Sequence, residues 1–373
     1  MPGIDCRAFG SRRRTDHDAH VCAPCWSSPS ALRGARWMIR RAAVSGLLVV
    51  CAVSCGGRSH GGSVPTTRSA TIAAVIKGLD NPFFATMRDG LVATAGQHNA
   101  RLRVDAAAGL QDTDGQAVTL ESSATQREDC YIVNPINRTN LIQPLSHVQK
   151  GTPIVNIDSP IDQNAARAVG VKITTYIGTD NVAAGGIAAD AMAQLVPRGA
   201  SVVIITGIPG DATSEARTRG FREGARGRFA VVATIAADFD AERARLAAED
   251  RLRASPPVQG FFAVNDQMAL GVAAAVRAAG ESGRVAVTGM DGIPDALAAV
   301  KSGAMSATVA QYPYIIGQLG VEACLAAMRG KSVPANVAAP VQVVTKENVE
   351  RAQANFPQPV EAFNDPLARL LKG

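Results

Sequence analysis

The sequence predicts an α/β protein of two doubly wound lobes, each a parallel sheet wrapped by helices. From Ala70 onward, short β-branched runs alternate with longer amphipathic stretches. Such regular alternation produces parallel sheets with right-handed crossovers. The strands also outnumber what one doubly wound sheet holds comfortably, so two similar lobes follow.

Taken in order, Thr71–Ile76, Arg101–Asp105, Tyr131–Val133 and Pro153–Ile157 read as strands. Pro82–His98, Thr113–Arg127 and about Thr139–Lys150 read as the helices between them. Pro82 suits a first helical position, where its missing N–H costs nothing. Phe83, Met87, Leu91 and Ala95 then recur at helical spacing on one face. A second set of strands comprises Thr175–Ile177, Ser201–Thr206, Val231–Ala236, Gly260–Val264 and Arg284–Thr288. Ser306–Ala310 and Ala338–Val344 flank a helix from about Tyr314 to Met328. The boundaries expected are 70–178 plus 312–340 for the first lobe, and 179–311 plus 341–373 for the second.

Ahead of the lobes the chain has a different character. Residues 1–69 hold ten Arg and three Asp, a net of +7, whereas the other 304 residues hold 28 basic and 29 acidic groups. The lobes are therefore near neutral, and their charge gives no case for a nucleic-acid partner. Met38-Ile39-Arg40-Arg41 is a basic stretch, followed by a small-to-apolar run from Ala42 to Ser54 that ends at Cys55. Thirteen such residues are too few to span a bilayer but fit the apolar core of a secretory signal. Ala52-Val53-Ser54-Cys55 resembles a bacterial lipoprotein box, so 38–55 reads as a lipoprotein-type signal with Cys55 lipidated. Residues 56–69, rich in Gly, Ser and Thr, read as a flexible tether. Residues 1–37 read as a disordered, over-extended start with Met38 the initiator. The Cys22-Ala23-Pro24-Cys25 spacing there has no second pair to complete a metal site. Cys130 and Cys324 read as buried, unpaired small hydrophobes.

The polar and aromatic residues that stand out lie where apolar runs give way to loops or helices. In an open α/β sheet such strand ends converge on one crevice. Asn81 donates and accepts toward hydroxyls, and Phe83 and Phe84 offer flat faces to the C–H faces of a sugar or polyol, although Phe83 reads equally as core. Phe239 follows a strand end in the second half and would complete a two-sided clamp. Asp158 and Asp291 each end an apolar run, where a carboxylate accepts from two adjacent hydroxyls; Asp291 is also open to reading as a helix cap. In Asn265-Asp266, Asp266 reads as the cap and Asn265 as the ligand contact. Of Arg217 and Arg219 one is a surface charge, and spacing does not say which. The arginine fork suits neighbouring oxygens.

Together these motifs resemble the ribose-type periplasmic sugar-binding proteins of ABC importers, from Ala70 to about Lys346. Asn81-Pro82-Phe83-Phe84, Gly178-Thr179-Asp180-Asn181, Ala216-Arg217-Thr218-Arg219-Gly220, Asn265-Asp266-Gln267-Met268-Ala269-Leu270-Gly271 and Met290-Asp291-Gly292 carry the likeness. The resemblance implies the type I periplasmic binding protein fold, with the ligand between two lobes that close about a hinge. It implies a hydrogen-bonding set of Asn81, Asp158, Arg217, Asn265, Asp291 and Gln311, and a stacking set of Phe83, Phe84 and Phe239. The implied partners are a small sugar or polyol and an ABC permease, with a monomer held to the membrane by its lipid anchor. No cofactor, metal or catalytic residue is implied. One position departs from the pattern: Ser159 stands where ribose-binding proteins carry an arginine. Lys77, at the first strand's end, is either a replacement charge or a solvent-facing lysine. Ribose is accordingly not the expected ligand.

Three rival readings are weaker or share the same core. A transcriptional regulator would carry a helix-turn-helix where this chain has its signal and tether. A glycosidase would need Asp158 and Asp291 as an acid–base pair, yet nothing in the sequence sets their proton affinities apart. A ligand carrier for chemosensing or autoinducer binding is not separable from an importer component by sequence.

Overall fold

The structure, a computed structural model, describes residues 68–372. The expected signal, Cys55 and most of the tether lie outside the described residues.

The chain opens with β1 (Thr71–Ile76), α1 (Pro82–Gln97), β2 (Arg101–Ala106), α2 (Thr113–Ala124), β3 (Cys130–Val133) and α3 (Ile142–Leu145). It continues through β4 (Ile154–Ile157), α4 (Gln163–Ala168), β5 (Thr175–Gly178) and α5 (Asn181–Leu195). Next come β6 (Ser201–Thr206), α6 (Ala212–Ala225), β7 (Ala230–Ala236), α7 (Ala241–Arg253), β8 (Gly260–Ala263) and α8 (Asp266–Ala278). The remainder is β9 (Ala286–Asp291), α9 (Pro294–Ser302), β10 (Ala307–Gln311), α10 (Pro313–Met328), β11 (Asn336–Ala338), β12 (Val341–Thr345), α11 (Val349–Asn355) and α12 (Ala368–Leu371).

These strands form two six-stranded sheets, ordered β11-β5-β4-β3-β1-β2 and β12-β10-β9-β8-β6-β7. Every pairing in the first sheet is parallel, and only β10–β12 is antiparallel in the second. Parallel order places the carboxyl ends of the strands along one edge of each sheet, where the loops carrying side chains can meet. The inner strands are mostly apolar, as strands buried on both faces tend to be; β3, β4 and β8 are fully buried.

The chain passes between the sheets after β5, after β10 and between β11 and β12. Helix α10 packs against α1 and the first sheet, so it belongs to the first lobe. Its approach to α1 is close enough that a Cβ on Gly90 or Gly317 would strike the opposing backbone.

Several sequence expectations are corrected. The helix expected over Thr139–Lys150 shrinks to Ile142–Leu145; Pro144 is tolerated only in a first turn, so the helix does not start as early as Thr139. The strand expected over Ala338–Val344 is two strands in different sheets, divided at Ala339-Pro340 as the chain crosses. The tail placed in the second lobe returns to the first, where α12 packs on α10. Cys130 and Cys324 form a disulfide with Cα atoms 5.8 Å apart. Cys130 begins β3 and Cys324 lies on the buried face of α10, so the pair meets when α10 comes back over the first sheet.

Candidate functional site

Nine of the ten ligand-site residues expected from sequence surround one cavity of about 50 Å³ between the lobes. It adjoins two larger hollows, of about 840 and 460 Å³, that share Leu110 and Phe239 with it. The largest hollow is the cleft mouth, lined by Asp80, Asp112, Asp238, Asp240 and Arg243 among others.

The first lobe contributes through two strand ends. Asn81 caps α1: its Oδ1 accepts from the Phe83 N–H at 2.9 Å, which leaves the amide Nδ2 to donate. Phe83 and Phe84 follow in the first turn and meet edge to face, with centroids 5.3 Å apart. Lys77, at the end of β1, is buried rather than solvent-facing. Its Nζ lies 5.5 Å from the Phe84 ring centre and donates to Ser159 Oγ at 2.6 Å. It is also 4.0 Å from Asp158 Oδ2. Lys77 thus brings a cation to the side chain that replaces the arginine of the ribose pattern.

Asp158 holds a left-handed backbone conformation, φ +60°, which disfavours most side chains. Buried neighbours fix it there. The Tyr176 hydroxyl donates to the Asp158 carbonyl at 2.6 Å, and Asn156 Nδ2 donates to the Ser159 carbonyl at 2.8 Å. Burial, and then the Asp158 charge, push the Tyr176 hydroxyl well above its ordinary range, so it remains a donor.

The second lobe supplies the opposite wall. Arg217 points inward from α6 and is buried, whereas Arg219 is exposed. Its Nε donates to Asn181 Oδ1 at 2.8 Å and its Nη1 to the Val264 carbonyl at 2.7 Å. Nη1 is also 3.4 Å from Asp291 Oδ1, while Nη2 makes no hydrogen bond among the described residues. Phe239, at φ +60°, packs its ring on Gly207, where any Cβ would collide with it.

The roles expected for Asn265 and Asp266 are reversed in part. Asn265 is the cap of α8, its Oδ1 accepting from the Met268 N–H at 3.0 Å, and it still faces the cavity. Asp266 caps nothing. It is fully buried and accepts from the N–H groups of Gly292 (2.6 Å) and Ile293 (3.0 Å) and from Thr308 Oγ1 (2.7 Å). That grip fixes the backbone directly after Asp291, whose φ is +133°. Asp291 is not a helix cap either; Ile293 occupies that position for α9. Burial pushes Asp291 up to about 7, with the Asp266 charge adding to it and the Arg217 guanidinium opposing. Burial likewise raises Asp266 to about 6 against its three hydrogen bonds.

Gln311 is the expected residue that does not line the cavity. It stands behind Asp291 and donates from Nε2 to Asp291 Oδ1 at 2.7 Å. Two lining residues escaped the sequence reading, Leu110 and Thr213. Leu110 lies in an irregular loop with no periodic signal. Thr213 sits just inside α6 beside its Asp211 cap, a position where a hydroxyl ordinarily signals only a helix start.

The assembled wall has aromatic faces, amide and guanidinium donors, and two carboxylate acceptors. This combination suits a small ligand that offers flat C–H faces for stacking and neighbouring hydroxyls for paired hydrogen bonds.

Residues 72–332 match the profile of the periplasmic binding protein domain. The chain is 31% identical to the ribose import binding protein of Bacillus subtilis over 303 residues, covering 81% of this chain and 95% of that protein. It is 34% identical to the D-allose-binding periplasmic protein of Escherichia coli, covering 74% and 90%. A solute-binding protein of an ABC transporter from Actinobacillus succinogenes, solved with bound D-allose, superposes with a TM-score of 0.72 at 33% identity, covering 76% and 99%. These relatives are named as binding proteins, and no described helix here is long and apolar enough to cross a membrane. With two parallel α/β lobes and this match over most of its length, the chain belongs to the periplasmic binding protein family.

Proposed function

We propose that this protein captures a small neutral sugar or polyol between its lobes and delivers it to the permease of an ABC importer. The observation that carries the reading is the single cavity where Asn81, Phe84 and Asp158 of one lobe face Arg217, Phe239 and Asn265 of the other. The ring faces suit the C–H surface of a sugar, and the free Asn81 and Arg217 donors suit its oxygens. Relatives named for ribose and D-allose binding support the ligand class.

Ser159 and Lys77 argue for a ligand other than ribose. A forked arginine offers several donors in a fixed plane, whereas Lys77 offers a compact ammonium already bonded to Ser159. A pentose or hexose variant, or an acyclic polyol, fits that change. The protein works as a monomer without cofactor or catalysis, and Cys55 anchors it to the outer face of the membrane through lipid.

A thermal-shift screen over ribose, D-allose, other monosaccharides and polyols tests the ligand class, because a ligand that binds only the native state raises the melting point. The expected hit is a sugar or polyol other than ribose. Tight calorimetric binding of ribose alone would overturn the specificity. Asp158→Ala and Asn265→Ala should abolish binding of the hit while leaving a cooperative unfolding transition. Wild-type affinity in both would show that the ligand lies elsewhere.

A further inference from the structure

The segment 356–372 makes a fourth connection between the lobes. It leaves α11, which packs on α9 and β12 of the second lobe, and turns back over the hinge. There the Val360 N–H donates to the Tyr312 hydroxyl at 3.3 Å and the Glu361 N–H to Gln342 Oε1 at 3.2 Å. Tyr312 itself donates to Gln342 Oε1 at 2.6 Å, and it is the single residue between β10 and α10. Beyond it the tail reaches the first lobe. Leu367 is fully buried, α12 packs on α10, and Arg329 Nη1 donates to the Leu371 carbonyl at 3.0 Å.

The attachment to α10 centres on a buried acid. Glu322 Oε1 accepts from Gln318 Nε2 at 3.1 Å, and the same Nε2 is 3.3 Å from Asp365 Oδ2. Glu322 Oε2 is buried with no donor. Asp365 Oδ1 accepts from the N–H groups of Leu367 (2.7 Å) and Ala368 (3.1 Å), so this aspartate also turns the tail into α12. We propose that segment 356–372 is a strap across the hinge, fastened to α10 by the Glu322–Asp365 carboxyl pair, and that it restrains rotation of the lobes.

The two carboxyls converge on one donor, Gln318 Nε2, and a proton on one of them relieves the like charge. Burial, and then Asp365 through its hydrogen bond and charge, push Glu322 up to about 8, with Gln318 opposing. Other charges on the packed elements do not relieve it. Arg88 and Asp89 of α1 pair with each other, β3, β4 and β5 carry no charged residue, and the rest of the tail carries Glu361, which pairs with Arg351, and Arg369 and Lys372. With its proton affinity raised in the docked tail, Glu322 favours docking most fully below 4.5 and loses that contribution as pH rises to about 8. The restraint concerns lobe motion whatever the cleft binds, and rests on the sugar-capture reading only for its effect on ligand exchange.

The test uses the full chain without sugar. Backbone hydrogen exchange of Val360, Glu361, Leu367 and Ala368, corrected for the intrinsic pH dependence, reports docking of the tail. Electron–electron distance distributions between labels carried on unnatural amino acids at Glu121 and Asp250 report the lobe angle. From pH 6 to pH 9, tail protection should fall by about fivefold or more, the size of a typical coupling between sites, and the distribution should broaden. Glu322→Gln, which keeps a neutral donor, should hold the pH 6 behaviour at both pH values. Asp365→Ala should show the broad distribution at both. Constant tail protection in the wild type from pH 6 to pH 9 overturns the fastening. An Asp365→Ala chain with exposed tail amides and an unbroadened distribution overturns the restraint. Protection at Val155 and Ile204 verifies the fold; if Asp365→Ala fails there, the wild-type titration and Glu322→Gln decide.

Discussion

The two lobes hold their strand-end aspartates by different chemistry. Asp158 is braced through its backbone by neutral partners, the Tyr176 hydroxyl and the Asn156 amide, with Lys77 as the nearby counter-charge. Asp291 is fixed by an acid, since Asp266 grips the backbone beside it, with Arg217 as the nearby counter-charge. Both aspartates sit at positive φ, so each needs a brace to stay there. The charged brace adds to burial in raising Asp291 to about 7, with the Arg217 guanidinium opposing. The lobes also differ in cross-linking: the first carries Cys130–Cys324, and the disulfide has no counterpart among the described residues of the second.

The largest effect should come from breaking the charged brace. Asp266→Ala strands two buried N–H groups and the Thr308 hydroxyl, and leaves Arg217 short of negative charge. We expect a loss of about 3–5 kcal/mol in chemical denaturation, the usual result of removing one partner from a buried charged network. Ligand affinity should fall with it, because the turn that aims Asp291 is released. Unchanged stability would mean that the second lobe's brace is not electrostatic. Next in size is the disulfide. Replacing Cys130 and Cys324 with serine should cost about 2–4 kcal/mol, the range for a cross-link that closes a long loop. The cost should fall on the first lobe, read by hydrogen exchange in β1, β3 and β4 with β6 and β8 unmoved. Smaller again is Tyr176→Phe, which leaves the Asp158 carbonyl without its buried donor. About 1–1.5 kcal/mol should be lost, and ligand affinity should weaken more than the melting point drops.

The sheets, most helices and nine cavity residues were legible because they rest on local signals: periodicity of apolar residues, turn residues, and polar groups at strand ends. What escaped depends on distant partners. The cysteines are 194 residues apart and meet only because α10 returns to the first lobe after five of the second sheet's six strands. The tail's destination is set by Asp365 and Leu367 finding α10, not by any pattern within the tail. Asn265 and Asp266 show the same limit at one step of sequence. Either side chain suits a helix cap, and only the position of Gly292 and Ile293, delivered by β9, assigns Asp266 inward. Thr213 and Leu110 reach the cavity by the packing of the lobes, for which neighbouring residues hold no code.

The smallest predicted effect separates the two aspartates by pH. Asp291 has a raised proton affinity in the folded chain, so its contribution to stability is complete below its ordinary value of 3.8 and is lost as pH climbs to about 7. Affinity should run the other way. Ligand hydroxyls donate to a carboxylate, and only the ionised form accepts from both oxygens. Binding of the sugar or polyol found in the screen should therefore strengthen from pH 6 to pH 8, by no more than about tenfold, the rise in the ionised fraction of a group titrating near 7. Asp291→Asn should flatten that dependence while weakening binding. If the dependence persists in Asp291→Asn, the titrating group lies elsewhere, and the contrast between a neutral and a charged brace does not reach the ligand.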